Sequence, residues 1–192
     1  MCRTGLRGFD AAYCFGSYEG TLRELIHLYK YSRMRTLSQP LADLLARALP
    51  LDERLDAVTA VPLHWRREWQ RGFNQSELLA RAIAKRRGIP VVRPLRRARA
   101  TQTQAGLSNT ERRRNVAAAF VCRRGAQQLN GQRVLLIDDV MTTGSTAAAC
   151  ANALKQAGAA KVVLLTVARV DRRMRGGNPT SPTSVNGEGE LS

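Results

Sequence analysis

No stretch of this sequence is apolar for long enough to cross a membrane, and its beginning lacks the apolar region of a secretion signal. The default that follows is a soluble, cytoplasmic protein with no membrane insertion. Acidic residues are scarce: 15 aspartates and glutamates stand against 31 lysines and arginines, a formal charge of +16. Lysine is scarce as well, with only 4 against 27 arginines. GC-rich codons can account for arginine in place of lysine, but not for the excess of base over acid. Highly anionic substrates and nucleic acid are therefore both candidate partners. The cysteines, at positions 2, 14, 122 and 150, form no C-x-x-C pair and have no histidine pair nearby. That argues against a zinc site and against a disulfide framework, and Cys122 and Cys150 read as small core residues. No internal repeat is visible, and 192 residues suffice for one full core with a small appendage.

The informative stretch is 134–146, Val-Leu-Leu-Ile-Asp-Asp-Val-Met-Thr-Thr-Gly-Ser-Thr. Its first four residues have the length and branching of a strand buried on both faces. The alanine-rich segment 147–156 favours helix, and Gly158 is placed to end it. Strand, turn and helix in that order put the turn at the carboxyl end of a sheet, where open α/β folds bind ligands. Free N–H groups and the helix dipole favour an anion there. Gly144 permits close approach of a phosphate, and Thr142, Thr143, Ser145 and Thr146 offer hydroxyl donors. Two carboxylates, Asp138 and Asp139, would repel that phosphate unless they face hydroxyl groups or a divalent cation. A sugar phosphate meets the condition: phosphate in the turn, ribose hydroxyls on the aspartates, Mg²⁺ nearby. No lysine lies in the turn and no Gly-Lys-Ser/Thr follows, so this is not a Walker A loop. An ordinary strand end before a capped helix explains the aspartates singly, but not the whole pattern.

The rest of the chain supplies elements around this unit. Residues 9–18 can form a strand, and Thr21 with Glu24 has capping-box spacing for a helix ending near Tyr31. A second helix is expected over 38–49, with Leu41, Leu44, Leu45 and Leu49 as its buried stripe. Core strands are expected at 57–61, 89–92, 120–122, 134–138 and 161–167, with a helix at 76–87 ended by Gly88. Alternating strands and helices predict an α/β fold with a parallel, doubly wound sheet. The stretch 62–75, with Trp65, Arg66, Trp69 and Arg71, offers bidentate donors at a strand-to-helix junction. A solvated basic loop with tryptophans packed on arginine stems is the plainer reading. Residues 97–115 are polar and poorly periodic, the mark of a loop. His27 reads as a surface or groove residue and not as a metal ligand.

The 134–146 segment resembles the 5-phosphoribosyl diphosphate (PRPP) motif of type I phosphoribosyltransferases. Three further segments narrow the resemblance to the ComF family of competence-associated proteins. They are Arg71-Gly-Phe-Asn-Gln75, the Lys30-Tyr31 pair in its helix, and the R-x-R-x-T-x-x-Q-x-x-L pattern from Arg97 to Leu107, followed by Arg112 and Asn115. The resemblance covers roughly residues 9–170 and implies a type I phosphoribosyltransferase core at 56–171 beneath a small N-terminal hood at 9–55. Residues 1–8 are expected to be a disordered remnant and 172–192 a disordered tail. ComF-like proteins usually begin with a four-cysteine zinc module. Here Cys2-Arg3-Thr4-Gly5 looks like its last half-pair, with Gly5 where a cysteine would fall, so no zinc is expected in this chain.

The resemblance also implies roles. Asp138, Asp139, Val140, Met141, Thr142, Thr143, Gly144, Ser145 and Thr146 would hold the ribose and 5′-phosphate of PRPP. Leu63, Arg66 and Arg71 would face pyrophosphate, with Mg²⁺ carried by PRPP near the two aspartates and no metal-binding side-chain cluster. Arg97, Arg99, Thr101, Gln104, Gly106 and Leu107 would form a lid. The expected activity is phosphoribosyl transfer to an unknown nitrogen acceptor. The alternative is an accessory role in DNA uptake, with single-stranded DNA or competence helicase-type proteins as partners and the PRPP pocket as sensor or relic. Trp65 and Trp69 would then serve base stacking.

Overall fold

The computed structural model describes residues 8–32, 34–63, 65–98, 119–123 and 129–170. Its centre is a four-stranded parallel sheet in the order β1-β6-β5-β2. The strands are β1 (Ala11–Ser17), β2 (Ala57–Ala60), β5 (Arg133–Met141) and β6 (Lys161–Arg169). The two central strands are the two branched apolar runs of the sequence, and residues 134–137 of β5 are fully buried. Helices cover both faces, as a near-continuous apolar strand requires. On one face lie α1 (Gly20–Tyr31), α2 (Ser38–Ala48) and α4 (Gln75–Arg87), which pack Ile26, Leu41, Leu45, Leu79 and Ile83 against Leu135, Ile137 and Val163. On the other, α5 (Ser145–Gln156) places Cys150 and Leu154 against Leu136 and Leu164. Gly88 closes α4 in a left-handed conformation, φ 64°, as its position after an arginine-rich last turn predicts.

Four expectations need correction. The strand at residues 9–18, placed in the hood, is instead the edge strand of the main sheet, registered Ala11↔Val163 to Ser17↔Arg169. Asp10 fixes this junction: its amide donates to Val162 O, and its carboxylate accepts from the Val162 amide at 2.6 Å. The segment 89–92 does not become a strand. Pro90 has no N–H and Pro94 follows, so pairing stops at a single bridge, Val58↔Val91. Residues 120–122 leave the parallel sheet: β4 (Phe120–Cys122) pairs antiparallel with β3 (Leu95–Arg97) in a separate ribbon beside α5. Finally, the basic stretch after Leu63 is not a loop throughout, because α3 (Trp65–Arg71) forms within it. The expected tail at 172–192 and residues 1–7 of the expected remnant lie outside the described residues.

The lower rim of the sheet is tied by Asp56, which takes Arg133 at both carboxylate oxygens (2.7 and 2.9 Å) and at the backbone amide (2.8 Å). Those bonds to Arg133 hold the Asp56 carboxyl down at about 2. A depressed carboxylate contributes stability above its unfolded value, lost as the pH falls through the folded one. Asp56→Asn is therefore expected to lower the melting temperature at pH 7 by a few degrees. In an acid titration followed by circular dichroism, that difference should vanish between about pH 4 and pH 2.

Candidate active site

The two carboxylates sit in the last turn of pleat of β5, inside the strand and not beyond it. Adjacent strand residues point to opposite faces, so the pair is split. Asp138 continues the face of Val134 and Leu136 toward α5, and its Oδ1 accepts the Ser76 hydroxyl at 3.2 Å and the Asp139 amide at 2.9 Å. Asp139, on the face of α1, meets Lys30 Nζ at 3.1 Å; both side chains are largely buried, 14% and 16% exposed. Burial, and then the neighbouring Asp139 charge, push the Asp138 carboxyl up to about 7. Beside the ion pair, Tyr29 is fully buried and donates its hydroxyl to the Gln75 carbonyl at 2.9 Å, which ties α1 to the start of α4. Burial and the Asp139 charge raise the Tyr29 phenol as well.

Beyond Met141 the chain turns sharply. Thr142 and Thr143 are exposed, and Gly144 is buried in a left-handed conformation with φ 74° at the start of α5. Only glycine takes that conformation without steric cost. Its lack of a side chain leaves the helix start to Thr143, whose hydroxyl accepts the Ser145 amide at 3.2 Å and donates to the Ser145 hydroxyl at 2.9 Å. Hydroxyl-bearing side chains at 142, 143, 145 and 146 thus stand at the start of a twelve-residue helix, whose first amides have no intrahelical acceptor. Strand, turn and helix follow one another in the order the sequence predicts.

The flanking expectations fare unevenly. Leu63 is half-buried just past β2. Arg66 lies within α3, but its side chain is outside the described residues. Arg71 ends α3 with its guanidinium 5.2 Å over the Tyr31 ring and Nη1 donating to Gln75 Oε1 at 3.1 Å, so it joins α1 to α4. Arg97 lies in β3, its guanidinium 5.4 Å over the Phe120 ring. Arg99, Thr101, Gln104, Gly106, Leu107, Arg112 and Asn115 lie outside the described residues. Sequence reasoning missed Lys30 and Ser76 as partners of the aspartates. Ser76 directly follows the Arg-Gly-Phe-Asn-Gln run, and its place at the start of α4, behind an Asn74 whose side chain caps its amide at 3.1 Å, was available as a signal. Gln75 is also new to the site: it is buried, and its Nε2 has no partner among the described residues.

A model of the phosphoribosyl transferase domain matches residues 71–185, more than half of the chain. Competence protein F of Haemophilus influenzae is 32% identical over 168 residues, spanning 84% of this chain and 73% of its own length. The chain belongs to the ComF family of phosphoribosyltransferase-like proteins. DNA utilization protein YhgH of Escherichia coli K12 is another relative, 37% identical over 159 residues, covering 79% of this chain and 69% of the relative. Among solved structures, glutamine PRPP amidotransferase from B. subtilis aligns over 68% of this ComF-family chain and 26% of its own, at 24% identity and a TM-score of 0.47. The family places the Asp138–Asp139 pair and its turn in a domain named for phosphoribosyl transfer, and the parallel sheet with helices on both faces is the fold that goes with it. No helix among the described residues is long and apolar enough to cross a membrane.

Proposed function

We propose that this chain binds PRPP at residues 138–146 and transfers its phosphoribosyl group to a nitrogen acceptor with release of pyrophosphate, in the context of DNA uptake. The observation that carries the reading is the pair of carboxylates at the end of the central strand, three residues from a glycine-opened hydroxyl turn at a helix start. Thr142, Thr143, Ser145 and Thr146 bind the 5′-phosphate, and Asp138 with Asp139 orients the ribose by accepting its hydroxyls. Displacement at the ribose carbon passes through a cation-like state, so the site must hold the ribose, neutralise the leaving pyrophosphate and keep water out. In this reading Arg71 and Arg66, carried by the helix after Leu63, would face the pyrophosphate.

The donor set fits Mg²⁺ arriving with its ligand better than Mg²⁺ held by a protein cage. Asp139 is paired with Lys30 and Asp138 is capped by Ser76, while Mg²⁺ characteristically takes one or two carboxylates together with phosphate oxygens and water. When bound, the ion supplies charge neutralisation for the pyrophosphate. The test is pyrophosphate release from PRPP across a panel of nucleobases and amines, with and without Mg²⁺. Release with one acceptor class is expected; PRPP binding without release would leave only the binding half standing.

A second reading has its own support. Trp69 is 83% exposed and Tyr31 is 62% exposed with an arginine over its ring, on a chain of net charge +16. Exposed aromatics among arginines suit stacking and backbone contacts to single-stranded DNA, and the names of the relatives point to DNA use and competence. Binding to single-stranded DNA that weakens with salt supports this reading; no binding at low salt counts against it.

A further inference from the structure

The open edge of β2 borders a cavity. On its inner side β2 is registered Ala60↔Ile137, and Ile137 O accepts the Val61 amide at 2.9 Å. That register turns the N–H and C=O of Ala60 to the opposite edge, because a parallel strand sends successive residues' bonds to alternate sides. Two residues earlier the same edge is filled: the Val58 amide donates to Pro90 O at 2.9 Å, and Val58 O accepts the Val92 amide at 2.8 Å. The chain then departs through Arg93 and Pro94, and a cavity of about 390 Å³ takes the place of the missing strand. Its volume falls within the roughly 300–1,000 Å³ of small-molecule sites. Residues 138–146 do not line it, although Leu63 and Arg97, expected at the pyrophosphate side and the lid, do.

Its walls are chemically distinct. Ala60, Val91, Val92 and Leu95 give an apolar floor. Arg93, Arg96 and Arg123 stand on the rim. Arg93 shares the one Glu77 carboxylate with Arg81, so a single anion serves two guanidiniums. Arg96 and Arg123 have no acidic partner among the described residues and lie on the exposed side of the β3–β4 ribbon. On the other wall the exposed Glu68 presents a carboxylate that hydroxyls can bond.

We propose that this cavity is a nucleotide site separate from the 138–146 turn, with the base edge on the Ala60 backbone and the phosphates on Arg96 and Arg123. A strand edge offers an adjacent donor and acceptor, the pattern that the edge of a purine or pyrimidine complements, and arginine pairs bidentately with phosphate. The proposal does not depend on PRPP binding or on turnover.

Titration calorimetry of the full chain with ADP and with inorganic diphosphate tests it. ADP is expected to bind the wild type, and diphosphate at least tenfold more weakly, since it has no base edge to place. The double variant Arg96→Ala with Arg123→Ala should lose about tenfold or more in ADP affinity, and both side chains are exposed, so the fold should hold. Asp138→Asn with Asp139→Asn should keep its ADP affinity within about twofold, the two sites being separate. Absence of ADP binding to the wild type overturns the proposal, as does ADP affinity unchanged in the arginine variant. Diphosphate binding as tight as ADP, and weakened equally by the arginine variant, removes the role of the Ala60 edge, and loss of ADP binding in the aspartate variant assigns the nucleotide to the 138–146 turn.

Discussion

Replacing Asp138 and Asp139 together by asparagine is expected to abolish PRPP binding in titration calorimetry while the chain stays folded. Hydrogen bonds to charged groups contribute roughly 1.5–3 kcal/mol each, so losing two is expected to cost about 3–6 kcal/mol, a hundredfold or more in affinity. Asparagine keeps the shape and one acceptor oxygen, so Ser76 and the Asp139 amide retain a partner at position 138. Stability should move the other way for Asp138→Asn alone. Burial raises the Asp138 carboxyl from 3.8 to about 7, and the folded chain therefore holds its proton more tightly than the unfolded chain does. Between those values the folded state binds more protons, so stability falls as pH rises from about 4 to about 7 and stays at the lower level above. Asp138→Asn removes that penalty and should melt above the wild type at pH 8, with the gain shrinking as the pH is lowered toward 4. A variant that loses PRPP and gains stability marks a residue retained for the ligand and not for the fold. Unchanged PRPP affinity in the double variant would sink the site assignment.

Local chemistry in this chain was readable; long-range pairing was not. The β5–turn–α5 unit could be read because each of its parts is dictated within a few residues: a branched apolar run, two acids, a glycine whose φ of 74° needs no side chain, then alanines. Gly88 ended α4 for the same local reason. The capping box at Thr21 and Glu24 shows how far such rules reach. The helix begins at Gly20 with Glu19 as its cap and no side-chain capping bond, because packing of Ile26 and Tyr29 sets its start. The place of β1 depended on which strand had a free edge, and β6 lies some 150 residues away in sequence; no local pattern encodes that choice. The three-residue strand at Phe120 carried too little periodicity to reveal an antiparallel partner at Leu95. Lys30 stood out only as part of the Lys30-Tyr31 pair, since nothing near it in the sequence says that Asp139 will lie within 3.1 Å.

Lys30→Met should produce the second large change, and through two separable routes. The Lys30–Asp139 pair is 3.1 Å long with about one-sixth of either side chain exposed. Breaking a buried pair by removing one partner costs about 3–5 kcal/mol, and the residual exposure points to the lower end, about 3 kcal/mol. For a chain of this size that corresponds to a fall in melting temperature of roughly 6–12 °C. The second route is electrostatic. Lys30 is among the groups that hold the Asp138 carboxyl down against its burial and the Asp139 charge, so its removal pushes Asp138 above its present value of about 7. If the ionised carboxylate accepts the ribose hydroxyls, PRPP affinity in the wild type should rise with pH through about 7. In Lys30→Met the same rise should move to higher pH. Lys30→Arg keeps the charge and should restore most of the pH profile even where its bulk lowers stability. Calorimetric PRPP titrations of the three proteins between pH 5.5 and about 8.5 separate the routes. A profile that stays in place in Lys30→Met, with only the melting temperature lowered, would reduce Lys30 to a structural tie between α1 and β5. A profile that moves makes it the residue through which the N-terminal helix sets the charge state of Asp138.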